Sequence, residues 1–184
     1  MKQLAALMVV LAPLSAQADG LAAWDRIYAV ASHPRCTNCH VGDSGRPAWD
    51  GLGYGAARPH GMNIVAGESR IGAETIPCRV CHIGAAGPNA VPHAAPQIDE
   101  AWRLPPVELA WRGKSSGDVC GQLRNPDAND GFDLAGLVEH VQQSAFVRYG
   151  FNPGAGRVPA PGSVDDLARD LQLWAAAGSP CVGD

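Results

Sequence analysis

The chain alternates between segments with helical periodicity and segments rich in proline and glycine. Apolar residues around Trp24 and Ile27 recur every three or four positions, which predicts a first helix from about Gly20 to Ser32. The last third carries polar cap residues ahead of apolar stripes. It predicts a helix from Pro106 to about Arg112, one capped by Ser116, one from Asp133 to about Phe146, and one from Ser163 to Gly178.

The segments between these helices have little regular pattern. Residues 42 to 72 contain eight glycines without sustained periodicity, and residues 84 to 106 are dense in proline, alanine and glycine. The first is predicted to be a long loop and the second an extended surface connection. No alternating strand pattern of any length is present.

The first residues have the three parts of an export signal. Lys2 supplies a positive charge, the stretch from Leu4 to Leu14 is apolar, and Ala16-Gln17-Ala18 has the small residues of a cleavage site. We therefore expect residues 1 to 18 to be a signal peptide and the mature protein to be periplasmic. An uncleaved anchor is the alternative, but the stretch is shorter than the roughly 20 apolar residues that span a bilayer. No integral membrane segment is expected after cleavage.

The mature chain is acidic. The full sequence has 14 basic and 18 acidic side chains, and removing Lys2 with the signal leaves 13 against 18, a net charge of -5. This balance argues against nucleic acid as a partner and is compatible with a protein partner that offers a basic patch.

Two copies of the motif Cys-x-x-Cys-His give the clearest chemical signal. The copies comprise Cys36, Cys39 and His40, and Cys78, Cys81 and His82. Two cysteines at this spacing can both bond the vinyl groups on one edge of a porphyrin, and the next histidine reaches the iron as its proximal ligand. We therefore expect two covalently bound haem c groups. A zinc site built from the two cysteine pairs is the alternative, which export and the trailing histidines disfavour.

Two cysteines remain outside the motifs. Cys120 and Cys181 are predicted to form a disulfide, because an even leftover pair in an exported protein is usually bridged. The alternative is a thiolate ligand to iron.

The ligand on the far side of each iron decides whether that iron transfers electrons or does chemistry. The candidates are His60 and Met62, which share one loop, His140 at the edge of a helical stripe, and His33 just before the first motif. His33 could reach only the second iron. His93, in the proline-rich connection, is the weakest candidate.

These observations predict a mainly α fold with extensive irregular loops, in which the two haems form much of a compact core. Residues 19 to 184 would be a single domain. Its haem-attachment part would be residues 19 to 106, and its helical C-terminal part residues 107 to 184.

Several further segments, together with the motifs, carry a family resemblance over about residues 33 to 157. They are His33-Pro34-Arg35, His60-Gly61-Met62-Asn63, Cys120-Gly121-Gln122-Leu123, Glu139-His140 and Asn152-Pro153-Gly154-x-Gly156-Arg157. With them the chain resembles small exported di-haem cytochromes c, some of which look like electron-transfer subunits of periplasmic oxidoreductases. The resemblance favours His60 and His140 as distal ligands.

The leading hypothesis is a carrier of single electrons. It would take them from a dehydrogenase or a quinol-oxidising complex and pass them to a terminal acceptor. The alternative is a small di-haem redox enzyme, peroxidase-like or acting on small sulfur or nitrogen compounds, with one open iron. In that enzyme His93 or His140 could serve in acid/base catalysis.

Overall fold

The computed structural model describes residues 11–42, 44–49, 58–73, 76–82, 93–98 and 101–183. Parts of three predicted segments lie outside the described residues: the first ten residues of the expected signal peptide, residues 43 and 50 to 57 of the expected loop, and residues 84 to 92, 99 and 100 of the expected connection. The described chain is mainly helical, as predicted. Its elements are α1 (Leu11–Ala31), α2 (Pro34–Thr37), β1 (Ala48–Trp49), β2 (Arg58–Pro59), a 3-10 turn (Gly61–Asn63), β3 (Gly72–Ala73), β4 (Ile76–Pro77), two 3-10 turns (Cys78–Val80 and Val107–Leu109), α3 (Ser116–Leu123), a further 3-10 turn (Pro126–Ala128), α4 (Leu134–Gln143), α5 (Ala145–Phe151) and α6 (Val164–Ala176).

Four helices build the main apolar core. Helices α1, α3, α4 and α6 contribute its buried side chains together with Cys181, and Trp24 and Trp174 are fully enclosed with their ring centroids 5.1 Å apart. The Trp24 indole donates to the Ser116 hydroxyl at 2.8 Å and the Trp174 indole to the Pro180 carbonyl at 2.9 Å. Helix α1 packs against α3 and α6, so the first helix of the chain lies beside the C-terminal helices.

Cap residues set the starts of the C-terminal helices. Asp133 and Ser163 cap α4 and α6 as predicted, each accepting a backbone N–H from the first turn. Helix α3 is capped by Ser115 rather than Ser116. The Ser115 hydroxyl and the Asp118 carboxylate form a reciprocal capping box there.

The predicted helix from Pro106 to Arg112 is wrong. Only a 3-10 turn forms, Val107–Leu109, and the chain is extended again at Ala110. The backbone N–H groups of Trp111 and Arg112 donate to the carbonyl of His40, at 3.1 and 3.4 Å. A long-range contact therefore takes the donors that a continuing helix would have used.

Two other boundaries differ from the prediction. Helix α1 is described from Leu11 onward and so extends upstream of the predicted start at Gly20, because the alanine- and leucine-rich residues between these positions favour helix. Helix α4 ends at Gln143 rather than near Phe146, since Ser144 is extended (ψ 121°) and caps the separate helix α5.

The strands that were not predicted are only two residues long. β1 pairs with β2 and β3 with β4, both antiparallel, with Ala48 opposite Pro59 and Gly72 opposite Pro77. Two residues are too few to leave an alternating pattern in the sequence.

The predicted bridge between Cys120 and Cys181 is confirmed, with the two Cα atoms 5.7 Å apart. It ties the end of the chain to α3. An ion pair supports the same core, because the buried Asp170 carboxylate accepts two hydrogen bonds from the Nε and Nη2 of Arg26. Among the described residues, no helix is long and apolar enough to cross a membrane.

Candidate functional site

Both Cys-x-x-Cys-His motifs form a single tight turn with the same hydrogen bonds. In the first, the N–H groups of Cys39 and His40 donate to the Cys36 carbonyl at 3.1 and 3.0 Å. In the second, the N–H groups of Cys81 and His82 donate to the Cys78 carbonyl at 3.2 and 3.0 Å. The turn of the first motif continues from helix α2, which begins at Pro34, and the turn of the second motif is the 3-10 turn Cys78–Val80. Each motif therefore places its two cysteines and its histidine within about one turn of backbone.

The imidazole of His40 is held in the tautomer that leaves Nε2 free to bind a metal. Its Nδ1 lies 2.9 Å from the Leu109 carbonyl oxygen, and since a carbonyl only accepts, Nδ1 carries the proton. The lone pair is then on Nε2, the arrangement usual for metal-binding histidines. The ring also stacks on the Trp111 indole, with centroids 3.5 Å apart and planes 6° from parallel. The Trp111 N–H is held in turn by the Gln122 amide oxygen at 2.9 Å.

Sequence reasoning did not find the Leu109 contact. Leu109 lies 69 residues after His40 and contributes only a backbone atom, which no residue pattern records. Burial of this site lowers the pKa of His40 to about 4, the Leu109 hydrogen bond opposes that change, and a positive charge on His140 would add to it. His140 is therefore close enough to His40 to interact with it electrostatically.

The thiols of the first motif are held neutral. Burial raises the pKa of Cys36 to about 12 and that of Cys39 to about 11. By accessible surface both residues are only half-buried, but protein atoms surround each thiol. Arg35 opposes the change without reversing it. Reactive cysteines have depressed pKa values instead, so the shift at this pair is opposite to the one that marks a thiolate nucleophile.

The second motif lies closer to the surface. Cys81 is exposed and Cys78 half-buried, and burial raises the pKa of Cys78. His82 stacks on the buried Trp102, with centroids 4.5 Å apart. Burial lowers the pKa of His82, and a like charge on His60 lowers it further.

His60 lies beside His82, with ring centroids 6.0 Å apart and planes at 71°. Its Nδ1 is 2.8 Å from the Gly61 carbonyl oxygen, so this imidazole also carries its proton on Nδ1 and its lone pair on Nε2. His60 and His40 thus share the tautomer suited to binding a metal through Nε2.

Met62 and His33 are less well arranged as ligands. Met62 is 78% exposed. The Nδ1 of His33 accepts the Arg35 backbone N–H at 3.2 Å, which leaves its proton on Nε2. That is the reverse of the tautomer found at His40. The His33 ring instead contacts the ring of His93, edge to face, at a centroid distance of 5.0 Å.

The loop that carries His60 has unusual backbone geometry. Met62 and Asn63 both have positive φ, 54° and 55°, which non-glycine residues rarely adopt. Such strain persists only where surrounding contacts impose it, and it clusters at functional sites. The Asn63 side chain accepts a hydrogen bond from Arg46.

Arg70 and Ile71, which are neighbours in sequence, connect the two motifs. The buried Arg70 donates to the carbonyl of Val41, the residue after His40, at 3.4 Å. Its neighbour Ile71 accepts the backbone N–H of Cys78 at 2.9 Å. Proximity of Cys78 also contributes to the raised pKa of Cys39. Cys39 packs on a small second apolar cluster made of Val41, Ala66 and Leu104.

The donor set around each motif fits haem c. Each turn offers two sulfurs and one imidazole, and the His40 tautomer fits iron. In the described ranges, no three His, Cys, Asp or Glu side chains come together as a metal cluster. No protein-family model matches the sequence, and no curated protein and no solved structure matches it either.

Proposed function

We propose that the protein is an exported, periplasmic di-haem cytochrome c that transfers single electrons between redox partners. The observation that carries the proposal is the matched turn of the two Cys-x-x-Cys-His motifs, with the His40 Nδ1 proton directed to the Leu109 carbonyl. A disulfide in the chain agrees with an oxidising compartment.

For the first haem, Cys36 and Cys39 are the attachment sites, His40 is the proximal ligand and His140 the distal one. This pairing follows the family resemblance, which favours His140 as a distal ligand, and it agrees with the influence of His140 on the pKa of His40. His140 also has a fixed place on α4, where its ring lies against Phe132 at a centroid distance of 5.1 Å.

For the second haem, Cys78 and Cys81 are the attachment sites, His82 is the proximal ligand and His60 the distal one. The 6.0 Å between the two ring centroids supports this pairing. Two imidazoles this close to one another would be able to hold one iron between them. The exposed position of Met62 favours His60 over it.

The haem iron supplies one-electron oxidation and reduction, and two histidine ligands favour a low potential. The protein's own part is to hold the His40 and His60 imidazoles in one tautomer and to keep the two motifs adjacent through Arg70 and Ile71. Adjacent motifs favour electron exchange between the two centres. The donor would be a dehydrogenase or a quinol-oxidising complex, and a terminal acceptor would receive the electrons.

The experiment is paramagnetic resonance and near-infrared absorption on the oxidised, purified protein. Bis-histidine ligation of both irons predicts two low-spin signals and no methionine-to-iron band. His60→Ala should alter one signal, whereas Met62→Leu, the matched control in the same loop, should alter neither. Two unchanged signals in His60→Ala would contradict the assignment.

A carbon monoxide titration separates the carrier from a small di-haem enzyme. An iron with ligands on both faces binds carbon monoxide slowly or not at all. Rapid binding to half of the haem in the unmodified protein, with turnover of peroxide or of a small sulfur or nitrogen compound, would favour the enzyme.

A further inference from the structure

Trp102 has a buried donor that the described protein does not satisfy. Its side chain is 6% exposed, and its Nε1 has no accessible surface and no hydrogen-bond acceptor among the described residues. Three other tryptophans donate to a protein oxygen: Trp24 to Ser116, Trp111 to Gln122 and Trp174 to Pro180. Buried donors in native proteins are nearly always paired, so a partner for Trp102 is expected.

The position of Trp102 indicates what that partner is. The indole lies between His82, 4.5 Å away and 29° from parallel, and Phe146, 5.1 Å away and edge on. It is therefore packed against the histidine that would bind the second iron. A haem brings two propionate carboxylates to such a place, and carboxylates are strong acceptors for a buried N–H.

We propose that Trp102 is a positioning residue for the second haem, and that its indole N–H donates a hydrogen bond to a propionate of that haem. The face of the same ring fixes the plane of the His82 imidazole. This inference rests on the proposed function, because it needs a haem at the second motif.

The first motif offers a matched comparison. Trp111 stacks on His40 as Trp102 stacks on His82, but its N–H already has the Gln122 oxygen as acceptor. Trp111→Phe and Trp102→Phe both keep an aromatic face against a histidine and both remove an indole N–H. Only the second removes the proposed bond to haem.

The test is resonance Raman spectroscopy of the haem-loaded, full-length protein, read at the propionate bending bands. Trp102→Phe should shift the band of one haem, and the same wild-type band should respond to hydrogen–deuterium exchange. Trp111→Phe should leave the propionate bands in place. If Trp102→Phe does not fold, β-(3-benzothienyl)alanine at position 102 keeps the ring shape and removes only the N–H.

The outcomes separate this inference from the proposal on which it rests. Two covalent haems with unchanged propionate bands in the position-102 variant would overturn the role of Trp102 alone. A wild-type chain purified without covalent haem would overturn the proposed function, and this role with it.

Discussion

Removing the bridge between Cys120 and Cys181 should lower the free energy of unfolding by about 4 kcal/mol. The two cysteines are 61 residues apart in sequence, and closing a loop of that length removes about 14 cal/mol/K of entropy from the unfolded chain in the chain-entropy model. At 25 °C this corresponds to about 4 kcal/mol, a large part of the stability of a typical domain. Both residues are buried in the helical core, so the replacement is Cys120→Ala with Cys181→Ala.

The assay is urea unfolding of the haem-loaded protein, followed by far-ultraviolet circular dichroism and by haem absorption. Coincident transitions would license a two-state treatment. In a reductant that cleaves the disulfide, the wild type and the double variant should become equally stable, since thioether bonds to haem are not reduced and the reductant acts on the haem irons of both proteins alike. A loss below about 1 kcal/mol in the variant would refute this reasoning.

Three other perturbations test the core and the second motif. Arg26→Met should cost about 1 to 2 kcal/mol in urea unfolding, because it leaves the buried Asp170 carboxylate without its bidentate partner while the half-exposed Arg26 already shares its charge with solvent. Adding Asp170→Leu should recover much of that loss, and a negligible cost would contradict this. Gly72→Ala should reduce haem attachment at the second motif, because Gly72 has a φ of 132° and a Cβ at this position would lie 2.5 Å from the Cys78 backbone nitrogen. Full haem attachment in this variant would refute the prediction. Ser115, the N-cap of α3, lowers the pKa of Asp118 through hydrogen bonds from its hydroxyl and its backbone N–H. The Asp118 carboxylate therefore stabilises the fold at pH values above its unfolded pKa of about 3.9, and this stabilisation is lost as the pH falls through the lower folded pKa. Asp118→Asn should flatten that part of a stability-against-pH curve, and an unchanged curve would be inconsistent with the capping role.

The sequence was most informative where a local rule determines the structure. Asp133 and Ser163 cap helices because their side chains accept backbone N–H groups that the first turn leaves unpaired, and both are visible one residue ahead of an apolar stripe. The disulfide was predictable by elimination, since Cys120 and Cys181 are the cysteines left when the motifs are set aside.

What the sequence could not predict depends on contacts between distant backbone atoms. The segment after Pro106 has a plausible helical start, yet the His40 carbonyl takes two of its N–H groups and the segment stays extended. The Leu109 carbonyl that fixes the His40 tautomer is equally invisible, because any residue could supply it. The interruption at Ser144 was missed for another reason, because a serine there can either continue the helix or cap a new one.

The haem count of the purified, full-length protein tests the central claim most directly. It combines denaturing intact-mass spectrometry with the pyridine haemochrome spectrum, after expression in a host that exports and matures c-type cytochromes. We predict two covalently attached haems per chain, and one in the variant that joins Cys78→Ala and Cys81→Ala. A chain that carries no covalent haem, or that keeps two in the variant, would contradict the account.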